Sequence, residues 1–141
     1  MNYYETKRYL NRGYMAKQRI LSKKERIERW RAEITNATVR LDPEKVGNSS
    51  DKQQLEKTVI AISELSDSLQ KDIEALAKIE KSIQNEINNF VDEPVYKTVL
   101  ELRYLNYFRW SEIADRMHYT ERWVLALHKR AIYNFIANSS C

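Results

Sequence analysis

The chain has 141 residues and a net charge of +4, and it contains only two glycines and two prolines. Strands and tight turns need more of these residues, so the composition favours long helices. No run approaches the roughly 18 consecutive apolar residues of a membrane span, and the first thirteen residues are too charged for a signal peptide. The sequence therefore predicts a cytoplasmic, all-α protein without a membrane partner.

Charge is distributed unevenly along the chain. Residues 1–40 hold eleven Lys/Arg against four Asp/Glu, residues 41–93 hold six against twelve, and residues 94–141 hold seven against four. This division suits pairing between a basic first helix and an acidic second helix, and it also permits polyanion binding at two places. For the basic N-terminal block the sequence favours intramolecular pairing.

The first predicted element is a long amphipathic helix from about Tyr3 to Leu41. Apolar residues recur in it every seven positions, at Ile20, Ile27, Ile34 and Leu41. Lys23 interrupts this apolar seam. The segment 42–50 contains proline, glycine, asparagine and two serines, which predicts a turn, and Ser50 or Asp51 is the expected N-cap of the next helix.

The second predicted helix, from Asp51 to about Val91, has the clearest periodicity in the chain. Its seven-residue series is Leu55, Ile62, Leu69, Leu76, Ile83 and Phe90, and Val59, Ile73 and Ile87 follow alternate members by four. This is a coiled-coil seam. We expect residues 1–91 to form a long antiparallel helical hairpin of ~60 Å, given 1.5 Å rise per residue. The same seam is also compatible with a homodimer that forms through the hairpin.

The proline of Asp92-Glu93-Pro94 ends the hairpin and suits the first turn of a new helix. After a short helix and a bend, residues 110–129 match the spacing of a helix-turn-helix. Apolar residues stand where its packing requires them, at Ile113, Ala114, Met117, Tyr119, Val124 and Leu127. Ala114 leaves clearance where the two helices cross. His118 stands where glycine is preferred, because that turn is left-handed.

Ser111 and Thr120 are the predicted N-caps of the two helices, and each precedes a glutamate. On this register Arg122 faces a major groove, where it reads bases or contacts phosphate, and Lys129 contacts phosphate. Trp123 is interpreted as packing against the preceding helix, with nucleic-acid contact as the alternative. The predicted DNA-binding residues are Arg109, Ser111, Thr120, Glu121, Arg122, Trp123, Leu125, Ala126, Lys129 and Arg130.

No motif for catalysis is present, since the sequence has neither a glycine-rich phosphate loop nor a nucleophile elbow. The single cysteine, Cys141, forms no disulfide framework or zinc ligand pair. His118 and His128 have no neighbouring metal-ligand pattern, and we interpret both as surface or capping residues. The sequence predicts a non-enzyme without metal or cofactor.

Residues 100–135 resemble region 4 of sigma-70-type factors and, more closely, small phage and mobile-element regulators of the ArpU and RinA kind. The resembling residues are Leu102-Arg103-Tyr104, Trp110, Glu112-Ile113-Ala114, Tyr119-Thr120-Glu121-Arg122, Val124, Leu127-His128 and Arg130-Ala131. The front half is similar to an uncharacterised Gram-positive phage family, so the resemblance spans nearly the whole chain.

This resemblance implies a transcriptional regulator of phage or mobile-element genes in the cytoplasm of a bacterial host. Residues 94–138 would then be a sigma region 4-like module that binds double-stranded promoter DNA, with contact to host RNA polymerase as a further option. Two alternatives stay open: a small terminase-like subunit for DNA packaging, and a helical protein-interaction module without DNA binding.

Overall fold

The computed structural model describes residues 1–40 and 49–140, and all regular structure within them is helical. The elements are α1 (Tyr3–Leu10), a 3₁₀ turn (Asn11–Gly13), α2 (Tyr14–Arg40), α3 (Ser49–Phe90), α4 (Pro94–Tyr104), α5 (Trp110–Met117) and α6 (Glu121–Ser139). The prediction of an all-α chain is confirmed. The predicted turn at 42–50 falls largely outside the described residues.

Two predicted helix boundaries in the first half are wrong. The single first helix is divided, because Asn11–Gly13 forms a 3₁₀ turn between α1 and α2. Ser50 and Asp51 do not cap the second helix, because α3 already begins at Ser49 and both residues lie inside it. Asp51 instead places its carboxylate in the first turn, where the helix dipole favours negative charge.

The chain divides into two compact units, one formed by Lys17–Ala75 and the other by Met1–Ala16 with the chain from Leu76 onward. This division differs from the predicted boundary at residues 91–94. The physical reason is that α1 and the last turns of α3 share a buried cluster with α4 and α6. Its members are Leu10, Ile83, Ile87, Val91, Leu100, Tyr104, Ala131, Ile132 and Phe135.

Within the Lys17–Ala75 unit, Ile20 and Ile27 of α2 are buried, as the seven-residue spacing predicts. Lys23 is also buried, and its Nζ donates to Ser68 Oγ at 2.9 Å and forms an ion pair with Asp72. The predicted interruption of the seam is therefore accommodated by a polar contact on α3. A buried polar residue of this kind fixes the register of two helices, because any shift leaves its charge unpaired.

The heptad series of α3 is buried unevenly. Leu76, Ile83 and Ile87 are buried in the unit that contains α4–α6. Leu55, Ile62 and Leu69 are only half-buried, whereas Val59 and Ile73 are exposed. The periodic stripe is thus wider than the surface that α2 covers in a single chain.

Ion pairs join the basic first block to α3 at two points. Lys23 pairs with Asp72, and Arg12 approaches Glu86 Oε1 at 3.3 Å. Tyr9 donates its hydroxyl to the same Glu86 oxygen at 2.7 Å, and the Arg12 guanidinium lies 4.0 Å from the Tyr9 ring. The predicted intramolecular pairing involves these two cations, while further basic residues of α2, such as Lys24, Arg29 and Arg31, remain exposed.

Candidate nucleic-acid interface

Helices α5 and α6 are joined by a three-residue turn, His118 to Thr120. His118 has φ 58° and ψ 41°, so the backbone takes the left-handed conformation expected from the sequence. The Tyr119 N–H donates to Ala114 O at 3.0 Å and ties the turn to α5. Thr120 is the N-cap of α6, because its hydroxyl accepts the Trp123 N–H at 3.1 Å. The start of α6 is therefore fixed by two local contacts.

A small apolar cluster holds α5 against α6. Ile113, Ala114 and Val124 are buried in it, and Leu102, Phe108, Trp110 and Met117 pack around them. Ala114 is one of the three buried members, which agrees with the predicted need for a small side chain between the helices. Tyr119 differs from the expected pattern, because it stands in the turn and is exposed.

The predicted N-cap of α5 is wrong. Helix α5 begins at Trp110, so its N-cap is Arg109, and no side chain caps the helix there. Ser111 lies inside the first turn and is exposed. Arg109 Nε donates to Glu112 Oε1 at 2.7 Å, which raises the pKa of Arg109 and lowers that of Glu112. This guanidinium charge is therefore compensated within α5.

His128 is a core residue, which corrects its interpretation as a surface or capping side chain. It is 2% exposed, and its Nε2 shares a hydrogen bond of 2.6 Å with the Tyr104 hydroxyl of α4. The Trp110 ring packs edge-on against it at 4.7 Å between ring centroids. Burial, reinforced by the charges of Lys7 and Arg103, lowers the His128 pKa to about 3. A neutral imidazole therefore joins α4 to α6 near neutral pH.

His118, in contrast, is exposed and occupies the C-cap position of α5. Its interpretation as a capping residue is correct. Among the residues described, no group of three or more His, Cys, Asp or Glu side chains is placed to hold a metal ion.

The solvent-facing side of α6 contains most of the predicted binding residues. Thr120, Glu121, Arg122, Leu125, Lys129 and Arg130 are exposed, and Ala126 is half-buried. Arg122, Ala126 and Lys129 are separated by four and three residues, so they lie on one face of the helix. Neither Arg122 nor Lys129 forms an ion pair within residues 1–40 and 49–140. This face therefore presents uncompensated positive charge.

Trp123 is the predicted site residue with two interpretations, packing against the preceding helix or contact with nucleic acid. Its side chain is 39% exposed and lies outside the cluster that joins α5 to α6. The Arg130 guanidinium lies 5.2 Å from the Trp123 ring centroid, so these two predicted residues meet on the surface of α6. Two other arginines also lie over aromatic rings at 4.2 Å, Arg103 over Trp110 and Arg116 over Phe108.

The structure thus places eight of the ten predicted residues on or at the start of α6, and Arg109 and Ser111 at the start of α5. Tyr133, which is not among the ten predicted residues, is 51% exposed. Tyr133 follows Lys129 by four residues and continues the same helical face. The helical spacing was the signal that the sequence offered, but Tyr133 lies beyond the twenty-residue motif.

Comparison with protein-family models, with curated protein sequences and with solved structures yields no match to this chain. In the described ranges, no helix combines the length and the apolar character that crossing a bilayer requires.

Proposed function

We propose that this chain is a sequence-specific DNA-binding protein that inserts the first turns of α6 into the major groove of duplex DNA. In this proposal it regulates transcription of phage or mobile-element genes. The observation that carries the proposal is the face of α6 on which the exposed Arg122 and Lys129 flank the half-buried Ala126, in the helix that follows the left-handed turn.

The chemistry of this face suits a polyanion. Arg122 and Lys129 have no ion-pair partner in the described part of the chain, so neither must lose a protein contact to bind phosphate. Arg122 stands at the second position of α6, within the first turn, and this is the part of a recognition helix that reaches base edges. A planar guanidinium there can donate two hydrogen bonds to guanine.

A second candidate is a protein-interaction module without DNA binding. The observation in its favour is that Trp123 and Leu125, two large apolar side chains, are both exposed near the start of α6. A DNA-packaging subunit is a third candidate, and ring-shaped assemblies of defined stoichiometry would distinguish it.

The testing experiment is selection of binding sites from a random pool of duplexes, followed by affinity measurements on selected and scrambled sequences. A DNA-binding regulator should enrich a defined motif and bind it about 10³-fold or more tightly than scrambled DNA. Absence of enrichment, together with no binding to any duplex at low salt, would contradict the proposal and favour the interaction module.

We also propose that Lys17–Ala75 acts as an antiparallel hairpin through which two copies associate. Val59 and Ile73 support this proposal, because both occupy seam positions of the heptad pattern and both are exposed in the single chain. A dimer would present two α6 helices, which suits a site with two half-sites.

A further inference from the structure

The exposed face of α6 continues beyond the predicted motif onto α1. Tyr133 stands one turn after Lys129, and the Tyr3 ring of α1 stacks on the Tyr133 ring, with 5.4 Å between centroids and 29° between planes. Tyr3 and Tyr133 both belong to the unit formed by Met1–Ala16 and the chain from Leu76 onward. The beginning of α1 is therefore positioned beside the C-terminal half of the α6 face.

Helix α1 is held in a fixed orientation by contacts on its other side. Thr6 and Leu10 are fully buried, and Leu10 belongs to the cluster that includes Phe135 of α6. The start of the helix is closed by a capping box, in which Asn2 accepts the Glu5 N–H at 2.8 Å and Glu5 accepts the Asn2 N–H at 3.3 Å. The outward side chains of α1 are thus carried on an ordered helix.

Two of these outward side chains are suited to bind a nucleic-acid backbone. Tyr4 is 72% exposed, and its ring is nearly perpendicular to the Tyr3 ring, with 5.4 Å between centroids. Arg8 follows Tyr4 by one turn on the same face, is exposed, and forms no ion pair with any residue that the structure describes. Lys7 lies beside them, with its Nζ 5.3 Å from the Tyr3 ring centroid.

We propose that α1 extends the DNA-contact surface of α6, and that Tyr4 and Arg8 bind the sugar-phosphate backbone next to the groove that α6 enters. This inference rests on the proposed function. Tyr133 lies eleven residues after Arg122, a distance of about 16 Å along α6 at 1.5 Å per residue. The major groove is only about 12 Å wide, so side chains at this distance meet phosphates, not base edges.

The test compares full-length Arg8→Ala and Tyr4→Ala with Arg122→Ala on a selected and a scrambled duplex, across a salt titration. Loss of a phosphate contact at Arg8 should weaken both duplexes by the same factor, roughly five-fold, and lower the salt slope by about 0.9. Tyr4→Ala should also weaken both duplexes alike, whereas Arg122→Ala should weaken mainly the selected one. Because Tyr4 and Arg8 are exposed, circular dichroism and thermal unfolding should not change.

The matched control is Arg29→Ala, which removes the same charge from an exposed position of α2 and should leave affinity unchanged. If Arg29→Ala and Arg8→Ala lower the DNA affinity equally, the loss is caused by the change in net charge, and the inference is overturned. Wild-type affinity in Arg8→Ala and Tyr4→Ala, with reduced affinity in Arg122→Ala, would also overturn it while leaving the proposed function intact. If the wild-type chain binds neither duplex, both proposals fail.

Discussion

His128 shows how much one buried polar side chain can contribute to the packing of the α4–α6 region. Its imidazole lies between the Tyr104 hydroxyl and the Trp110 ring, and it has almost no contact with solvent. Protonating it would place a positive charge in that interior, near the existing charges of Lys7 and Arg103. The folded chain therefore keeps His128 neutral far below the pH at which a free histidine protonates.

We predict a specific pH dependence from this site. The His128 pKa is lowered from 6.5 to about 3 on folding, so the unfolded chain binds an additional proton between these values. The contribution of neutral His128 to the free energy of unfolding should be complete above about pH 6.5. It should decrease as the pH falls toward 3, by up to roughly 1.4 kcal/mol per pH unit. Urea denaturation at several pH values between 4 and 7 measures this slope.

Two variants test whether His128 causes this pH dependence of the free energy of unfolding. His128→Gln retains a polar group for Tyr104 and cannot titrate, so its unfolding free energy should vary less with pH than that of the wild type. His118→Asn is the matched control, because it removes the exposed histidine at a left-handed position that asparagine tolerates. An unchanged slope in His128→Gln would show that another group causes the acid sensitivity.

In the proposed complex with DNA, Arg122 and Lys129 should differ in what they contribute to affinity. Arg122 lies in the first turn of α6, so Arg122→Ala should lose ~1–3 kcal/mol on a selected site and relax its sequence preference. Lys129 lies two turns later, and Lys129→Ala should weaken all duplexes alike and reduce the salt slope by about one phosphate contact. Equal weakening of selected and scrambled duplexes by Arg122→Ala would mean that α6 is placed incorrectly in the groove.

Among the helical elements, the 3₁₀ turn between α1 and α2 lies against side chains that are distant in sequence. A Cβ atom added at Gly13 would lie 2.6 Å from Tyr107 Oη and 3.3 Å from Leu76 Cδ1. Tyr107 itself has φ 60°, and burial raises its pKa to about 12. Its hydroxyl is buried without a hydrogen-bond partner in the described structure. Gly13 is therefore required because another side chain occupies the space beside its backbone.

This geometry predicts coupling between the two positions. Gly13→Ala should lower the free energy of unfolding by ~1–3 kcal/mol, as overpacked sites do. Tyr107→Phe should be neutral or stabilising, because it removes a buried hydroxyl that has no partner. In the double variant, the phenylalanine ring lacks the oxygen that meets the new methyl group, so part of the loss should be recovered. Additive effects, measured by denaturation of all four chains, would contradict the predicted contact.

The helices themselves were predictable from sequence, because each long helix carries a periodic apolar stripe. The predictions that were wrong concern contacts between residues that lie far apart along the chain. Tyr107 lies against Gly13 in the turn between α1 and α2, and the Tyr104 hydroxyl shares a hydrogen bond with the buried His128. The stacking of Tyr3 on Tyr133 likewise has no local signal. Within the candidate site, the face of α6 followed from helical spacing, whereas the exposure of Trp123 did not.

For the molecule as a whole, the exposed side chains along α3 provide a test of the proposed association of two chains. Val59 is 54% exposed although it occupies a seam position. Replacing Val59 and Ile73 with glutamate should place charge in the proposed contact between copies and shift the sedimentation equilibrium toward monomer. Ile60→Glu is the matched control, because Ile60 is equally apolar and exposed but lies off the heptad seam. A wild-type protein that is monomeric at all concentrations would contradict the association.

The packing of Leu10 in one cluster with Ile132 and Phe135 constrains the time at which this protein can fold. Translation delivers α1 before its partners on α6, because Ile132 follows Leu10 by 122 residues. At ~5–20 residues per second, α1 waits on the order of 10 s at the ribosome before those partners emerge. This core can therefore be completed only after α6 has been synthesised, because Ala131, Ile132 and Phe135 are among its members.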